Sequence, residues 1–383
     1  ERVNSLDIVV AGGGPAGLYL ALLMKRADPS HRIRVIDRDG PDATFGFGVV
    51  FSEAALGYLG EADPQSYAAI ERELEIWQDI VIVHRDVRMP IDGNGFSGIG
   101  RLRLLQILRA FCEDVGVELS FNQEFASASD LGSSDLVVIA DGVNSILRDE
   151  YAPSFGPKIE HLTNRFAWYG TTKLFDTLTL TFRQTVAGSF VAHHYRYSPT
   201  MSTFIVECDA ATFAKVGFAG MTDAESRTYC EGVFAPDLDG HSLISNRSIW
   251  RQFPLVENRH WWHGNQVLIG DALRTAHFSI GSGTRLALED AIALFRAFEA
   301  VGPNVSAALA HYEATRRPIV DKLTSAALGS AKWYESIAEK MAIPPYTFAF
   351  DYMQRSGRVD EARLRAAAPR FMAAYDRSRA TER

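Results

Sequence analysis

Residues 6–11 form an apolar run broken only by Asp7, and residues 18–24 form a second of helical length, with glycines at 12, 13, 14 and 17 between them. The pattern predicts a buried strand, a tight turn and a helix. Residues 32–36 read as a second strand ending at Asp37, and residues 135–140 as a continuous apolar strand of the kind found in parallel sheets covered on both faces. Residues 66–80 predict a helix, 80–84 a strand and 117–121 another strand. Apolar positions at 104, 105, 108 and 111 mark one face of a helix beginning at Arg101. Between 165 and 208 the period changes. Four short β-rich stretches (166–170, 178–183, 190–195 and 202–208) separated by turns predict an antiparallel meander. Helical signals return at 209–233, a buried strand at 267–272, and helices at 286–295, 305–340 and about 359–375, with Pro344 and Pro345 as a break.

Gly12-x-Gly14-x-x-Gly17 lies between a strand and a helix, which makes it a credible dinucleotide motif. Gly12 permits the tight turn, Gly14 lets a pyrophosphate approach the backbone, and Gly17 allows close helix–strand packing. Pro15 and Ala16 open a helix whose N-terminus favours phosphate. Asp37 stands about 20 residues further on, where a ribose-binding carboxylate belongs. Far along the chain, Gly270-Asp271 ends a strand, and Gly281 and Gly283 precede a helix. Asp141 also ends a strand, although locally a strand-ending Asp-Gly turn is the more ordinary reading. Arg101 starts a helix, where a cation is poorly placed for the helix dipole, so an outside anion accounts for it better. The apolar, glycine-punctuated residues 44–52 read equally well as a buried loop and as a loop lying over a flat cofactor ring.

These elements predict an α/β (mixed α+β) chain. A Rossmann-like nucleotide-binding domain is drawn from residues 1–160 and 255–320, an antiparallel β substrate domain from 161–254 and a C-terminal helical region from 321–383. Of 383 residues, 47% are hydrophobic and 22% charged, ordinary for a globular enzyme, and a net charge of -8 argues against nucleic acid as a partner. Cys112, Cys208 and Cys230 are too few and too widely spaced for a disulfide framework or zinc site, which points to a reducing cytoplasm. No run has the length of a membrane span. His193 and His194, as neighbours on a strand, point to opposite faces and make a poor metal pair.

Three separated motifs now line up: Gly12-x-Gly14-x-x-Gly17, Asp141-Gly142-x-x-Ser145-x-x-Arg148, and Gly270-Asp271 with Gly281-x-Gly283. Together they resemble the FAD-dependent aromatic hydroxylases of the p-hydroxybenzoate hydroxylase fold. The resemblance implies FAD as cofactor. Asp37 and Arg38 would hold its AMP part, Arg101 its phosphates or ribityl chain, and Asp271 the ribityl and pyrophosphate region. Asp141 would complete the cofactor site, and Gly281, Gly283 and Thr284 would begin the helix that faces the isoalloxazine. It also implies NADH or NADPH as a transient reductant without a domain of its own, and hydroxylation through a flavin C4a-hydroperoxide formed with O2.

Departures from the family include Leu273-Arg274 after Ala272, His277-Phe278 where proline is usual, and Arg285 where asparagine is common. Residues 45–52, 96–101 and 277–284 resemble a narrower branch that hydroxylates salicyloyl-CoA or 2-aminobenzoyl-CoA, while residues 168–171 and 201–208 also resemble a violacein-pathway indole hydroxylase. The fused members of that branch carry a further domain for which 383 residues leave no room. The implied substrate is an aromatic acyl-CoA thioester, with 5-hydroxylation of salicyloyl-CoA favoured over 2-aminobenzoyl-CoA or an indole. On this reading His277 positions or deprotonates the ring donor, since an imidazole titrates near 6.5. The substrate pocket would be lined by Phe47, Val49, Tyr169, Tyr195, His277 and Phe278. No Trp-x-Trp-x-Ile-Pro segment, the mark of halogenase relatives, occurs. A non-oxygenating flavoprotein, such as a ring reductase, or a nucleotide-binding module without catalysis is the remoter alternative.

Overall fold

A computed structural model describes residues 4–44, 46–281 and 283–382; Phe45 and Ser282, each within a stretch that the motifs mark, lie outside the described residues. Among the described residues a six-stranded sheet runs in the order Trp262–His263, Gln266–Leu268, Leu136–Ile139, Asp7–Ala11, Arg32–Ile36 and Glu118–Ser120. Its strands are parallel except at the Trp262–His263 edge. Helix Pro15–Ala27 packs against both Arg101–Val115 and Gly283–Val301. Val9, Val10, Leu18, Leu22, Val138 and Leu294 are wholly buried in that core. Each such side chain contributes roughly 1.5–3 kcal/mol.

The meander forms a second, seven-stranded sheet in the order Leu243–Ile244, Arg165–Thr171, Ser202–Cys208, Ser189–Arg196, Leu178–Gln184, Ile80–His84 and Val87–Ile91. Its last two strands come from outside 161–254, and Ile80–His84 lies parallel to Leu178–Gln184. Ile80–His84 is buried at every position and so needs cover on both faces. Helix Pro345–Met353 covers the face of Ile80, Ile82 and His84, with Phe348 stacked on His84 at 3.8 Å. Phe190, Phe204, Val206 and Cys208 face one way from the sheet, into a core shared with Phe218 and Phe234. By strand alternation His193, Tyr195, Ile205 and Glu207 face the other.

Three local predictions fail for identifiable reasons. The helix expected over 66–80 ends at Glu71, and Glu75–Trp77 becomes an edge strand against Phe96–Gly100. Residues 44–52 are only partly loop, because Gly48–Ser52 pairs with the other side of Phe96–Gly100. The last helix is split into Glu361–Ala367 and Pro369–Thr381, with Ala368 at φ -127°, because proline drives the residue before it out of the helical region. Among the described residues no helix is long and apolar enough to cross a membrane.

Candidate active site

Ala11, Ile36, Ile139 and Leu268 lie in register at the carboxyl ends of parallel strands. The loops that follow them therefore meet at one edge, where open α/β sheets bind ligands. They border a cavity of about 800 Å³ lined by Gly12, Gly14, Pro15, Ala16, Asp37, Arg38, Arg101, Asp141, Asp271, Gly281, Gly283 and Thr284. Gly17 does not line it: a Cβ there would fall 2.3 Å from the Gly12 carbonyl oxygen, so it serves helix packing. Gly12 has φ +109°, and a Cβ would lie 2.1 Å from the Ala140 carbonyl oxygen, whereas a Cβ on Gly14 would meet nothing within 4 Å. Asp37 fastens this turn, accepting from Gly13 N–H at 3.0 Å and Asp39 N–H at 2.9 Å. No side chain caps helix Pro15–Ala27, so its first-turn N–H groups are left for a ligand.

Asp141 accepts from Ser145 Oγ and from Ile146 N–H, the latter at 3.1 Å, which makes it partly a cap for the next short helix. Burial pushes its carboxyl up, against these hydrogen bonds. Burial also pushes Asp271 up, offset by the charges of Arg274 and Arg101. The Arg101 guanidinium is pushed down by burial, with Asp271 as its opposing charge, and it lines the cavity with no side-chain hydrogen bond among the described residues. A cation that lines the same cavity as an uncapped helix N-terminus suits a pyrophosphate.

The Gly270-Asp271 turn is held from behind by Asp290, which sequence reading missed. This fully buried carboxylate accepts from Gly270 N–H at 2.9 Å and Arg316 Nε at 3.0 Å, and pairs with Arg274. Arg274, a departure from the family pattern, thus completes a buried ion-pair network.

The aromatic end of the cavity differs from three expectations. His277 is buried and does not line the cavity. Its Nδ1 accepts from Ser279 N–H at 3.2 Å and lies 2.7 Å from Ser279 Oγ, and its ring stacks on Phe278, so it shapes the loop. Burial holds it down to about 4, with the Glu207 charge opposing and those of His193 and Arg355 assisting. Tyr169 points into the core behind the sheet, since alternation gives the cavity face to Phe166 and Trp168. Phe47 covers Gly170, where a Cβ would meet its ring at 2.5 Å, and offers only its carbonyl, to Arg101 N–H at 2.9 Å. Val49, Tyr195 and Phe278 do line the cavity, but the Tyr195 hydroxyl is spent on the Gly48 carbonyl at 2.7 Å.

Sequence reading weighed His193 only as a metal ligand and passed over Glu207. His193 lines the cavity, with Nε2 3.0 Å from the buried Glu207 Oε1. The signal was available in the alternation of two strands, but only their register makes the residues neighbours.

Residues 127–327 match the family described as FAD binding domain. The chain is 39% identical to a salicyloyl-CoA 5-hydroxylase of a Streptomyces species over 361 residues, covering 92% of this chain and 70% of that protein. The chain belongs to the FAD-dependent aromatic hydroxylases. A second member of this family, the 3-hydroxy-4-methyl-anthranilyl-[aryl-carrier protein] 5-monooxygenase of Streptosporangium sibiricum, is 37% identical, with 92% of this chain and 95% of that one covered. Among solved structures, 2-methyl-3-hydroxypyridine-5-carboxylic acid oxygenase superposes with a TM-score of 0.72 at 18% identity, covering 96% of each chain, which shows a shared fold. The open face of Gly14, the uncapped helix and the Arg101 side chain, unbonded among the described residues, suit the cofactor of this hydroxylase family.

Proposed function

We propose that this hydroxylase acts on an aromatic acid carried as a thioester, with 5-hydroxylation of salicyloyl-CoA favoured and NADH or NADPH as the transient reductant. The observation that carries the reading is one continuous cavity, running from Gly14 and Asp271 to an aromatic wall of Phe166, Trp168 and Phe278. Two relatives are named for thioester substrates, one on CoA and one on an aryl-carrier protein.

Bound FAD, once reduced, supplies the oxygen chemistry. In this reading Asp37 and Arg38 hold the adenosine end, the first turn of Pro15–Ala27 and Arg101 the pyrophosphate, and Asp271 the ribityl chain, with Asp141 closing the edge. The helix beginning at Gly283, preceded by Gly281, brings its positive end and Thr284 to the ring, favouring negative charge there. Segments 1–160 and 255–320 would thus form the cofactor domain and 161–254, joined by Ile80–Ile91, the substrate roof, with 321–383 closing behind. Leu180, Ile205 and Phe278 keep water from the reacting ring. A 2-hydroxy or 2-amino donor directs reaction to its para carbon, position 5, despite the withdrawing thioester.

The test is NAD(P)H oxidation and product mass with salicyloyl-CoA, 2-aminobenzoyl-CoA, free salicylate and an indole substrate. Acceleration confined to the thioesters supports the proposal. Turnover of the free acid or the indole alone overturns the thioester assignment.

A further inference from the structure

The seven-stranded sheet turns one histidine of an adjacent pair toward the cavity and encloses the other. His194 packs between Phe175 and Phe204, bonds Thr181 through Nε2 at 2.8 Å, and has Nδ1 enclosed without a partner. His193 lines the cavity, its ring edge-on to Phe278 at 5.1 Å and 84°.

His193 stands opposite Ile205, and Glu207 opposite Val191, in the antiparallel register of Ser189–Arg196 and Ser202–Cys208. The two are therefore diagonal neighbours on one face, roughly 7–8 Å apart at the backbone and within side-chain reach. Glu207 is 1% exposed, and its two oxygens are used, Oε1 by His193 Nε2 at 3.0 Å and Oε2 by Asn164 Nδ2 at 2.9 Å. Asn164 is itself fixed, its N–H donating to Glu335 at 3.0 Å and its amide to the Tyr334 carbonyl at 2.9 Å. Burial disfavours charge on Glu207, but the hydrogen bonds from His193 and the Asn164 amide, aided by the charges of His193 and His277 when these are protonated, overcome it and hold the carboxyl below its usual range.

An ionised carboxylate only accepts, so the hydrogen of a neutral His193 resides on Nε2 and Nδ1 carries the lone pair. Nδ1 makes no hydrogen bond to a described residue. A carboxylate that fixes the tautomer and then balances an imidazolium is the arrangement that makes histidine a general base. We propose that His193 is the catalytic residue that accepts the proton of the substrate's ring hydroxyl, with Glu207 as its positioning residue. This rests on the hydroxyaryl thioester reading.

In the step, the ring O–H bond breaks, its electron pair stays on oxygen and the proton passes to Nδ1. The enriched ring then forms a C–O bond to one atom of O2 as the O–O bond breaks, and the other atom leaves as water with the two electrons supplied by the proposed reductant NAD(P)H. The proton on the attacked carbon leaves to water as aromaticity returns. The other groups around His193 are the Tyr334 ring at 5.1 Å, Phe278, and His277 beyond, which is coupled to Arg355.

The test uses FAD-loaded protein without NAD(P)H, so that nothing turns over. Salicyloyl-CoA is added and its phenolate absorption followed from pH 5 to 10 in wild type, His193→Gln and Glu207→Gln. Glutamine at 193 keeps a donor for Glu207 but no base, and thermal unfolding checks that each variant is folded. The bound phenol is expected to ionise at least about one pH unit lower in wild type than in free solution, and both variants to lose that shift while still binding the ligand. A wild-type titration equal to that of the free ligand, or an unchanged shift in His193→Gln, overturns the assignment of His193 alone. No spectral response of wild type to salicyloyl-CoA overturns the thioester reading, and this assignment with it.

Discussion

Arg148 Nη1 donates to the carbonyl oxygen of Ala272 at 3.0 Å, joining two turns that lie 124 residues apart in the chain. Its Nη2 donates to Val143 at 2.8 Å, and the side chain is wholly buried. The arginine of the second motif is therefore a tie between the Asp141 turn and the Asp271 turn. Replacement by methionine removes the donor to the Val143 carbonyl and leaves the Ala272 carbonyl only the Asn258 amide, at 3.0 Å. We expect Arg148→Met to cost about 2–4 kcal/mol in urea unfolding and to lower FAD retention on gel filtration.

The glycines of the first motif separate fold from binding. Gly12→Ala places a Cβ 2.1 Å from a backbone oxygen at φ +109°, and Gly14→Ala places one in open space. Gly12→Ala should destabilise the protein by more than about 2 kcal/mol. Gly14→Ala should leave the apoprotein within about 0.5 kcal/mol of wild type while weakening FAD, as read by fluorescence titration.

Arg101 gives the reverse of an ordinary buried ion pair. Its charge is opposed by Asp271 but has no hydrogen-bonded partner among the described residues. Arg101→Met should unfold at the same or a higher temperature as apoprotein, because a desolvated cation is removed. Its FAD affinity should fall about 10- to 100-fold in the same titration.

His277 makes stability depend on pH. Folded, it resists protonation until about 4, against 6.5 as the ordinary value. Between these values the unfolded chain binds the extra proton, so stability is full above about pH 6.5 and declines as pH falls toward 4. The decline from this one group reaches about 3 kcal/mol. Chemical denaturation at a series of pH values should show a shallower acid slope in His277→Gln than in wild type.

The motifs legible in the sequence were those in which local backbone requirement and ligand chemistry coincide. The Gly12 turn, Asp37 and Asp271 border one cavity because each follows an apolar run that reads as a parallel strand, and Arg101 joins them from the start of its helix, after the antiparallel strand Phe96–Gly100. The aromatic wall was harder to read. Tyr169 and Trp168 are adjacent and both apolar enough for either face, and only pairing of Arg165–Thr171 with Ser202–Cys208 decides which faces the cavity. His277 was legible as a departure, but its direction depends on Ser279 and the packing of Phe278.

The sequence by itself determined the strand–turn–helix at residues 6–26 and the meander, because hydrophobic period and glycine sterics act over a few residues, while the hydroxylase family was legible only as the resemblance carried by three separated motifs. Tertiary structure alone brought His193 to Glu207, Arg148 to Ala272 and Ile80–His84 into the second sheet. Those meetings depend on sheet register and helix packing between distant segments, where side-chain reach and burial, rather than local preference, choose the partner.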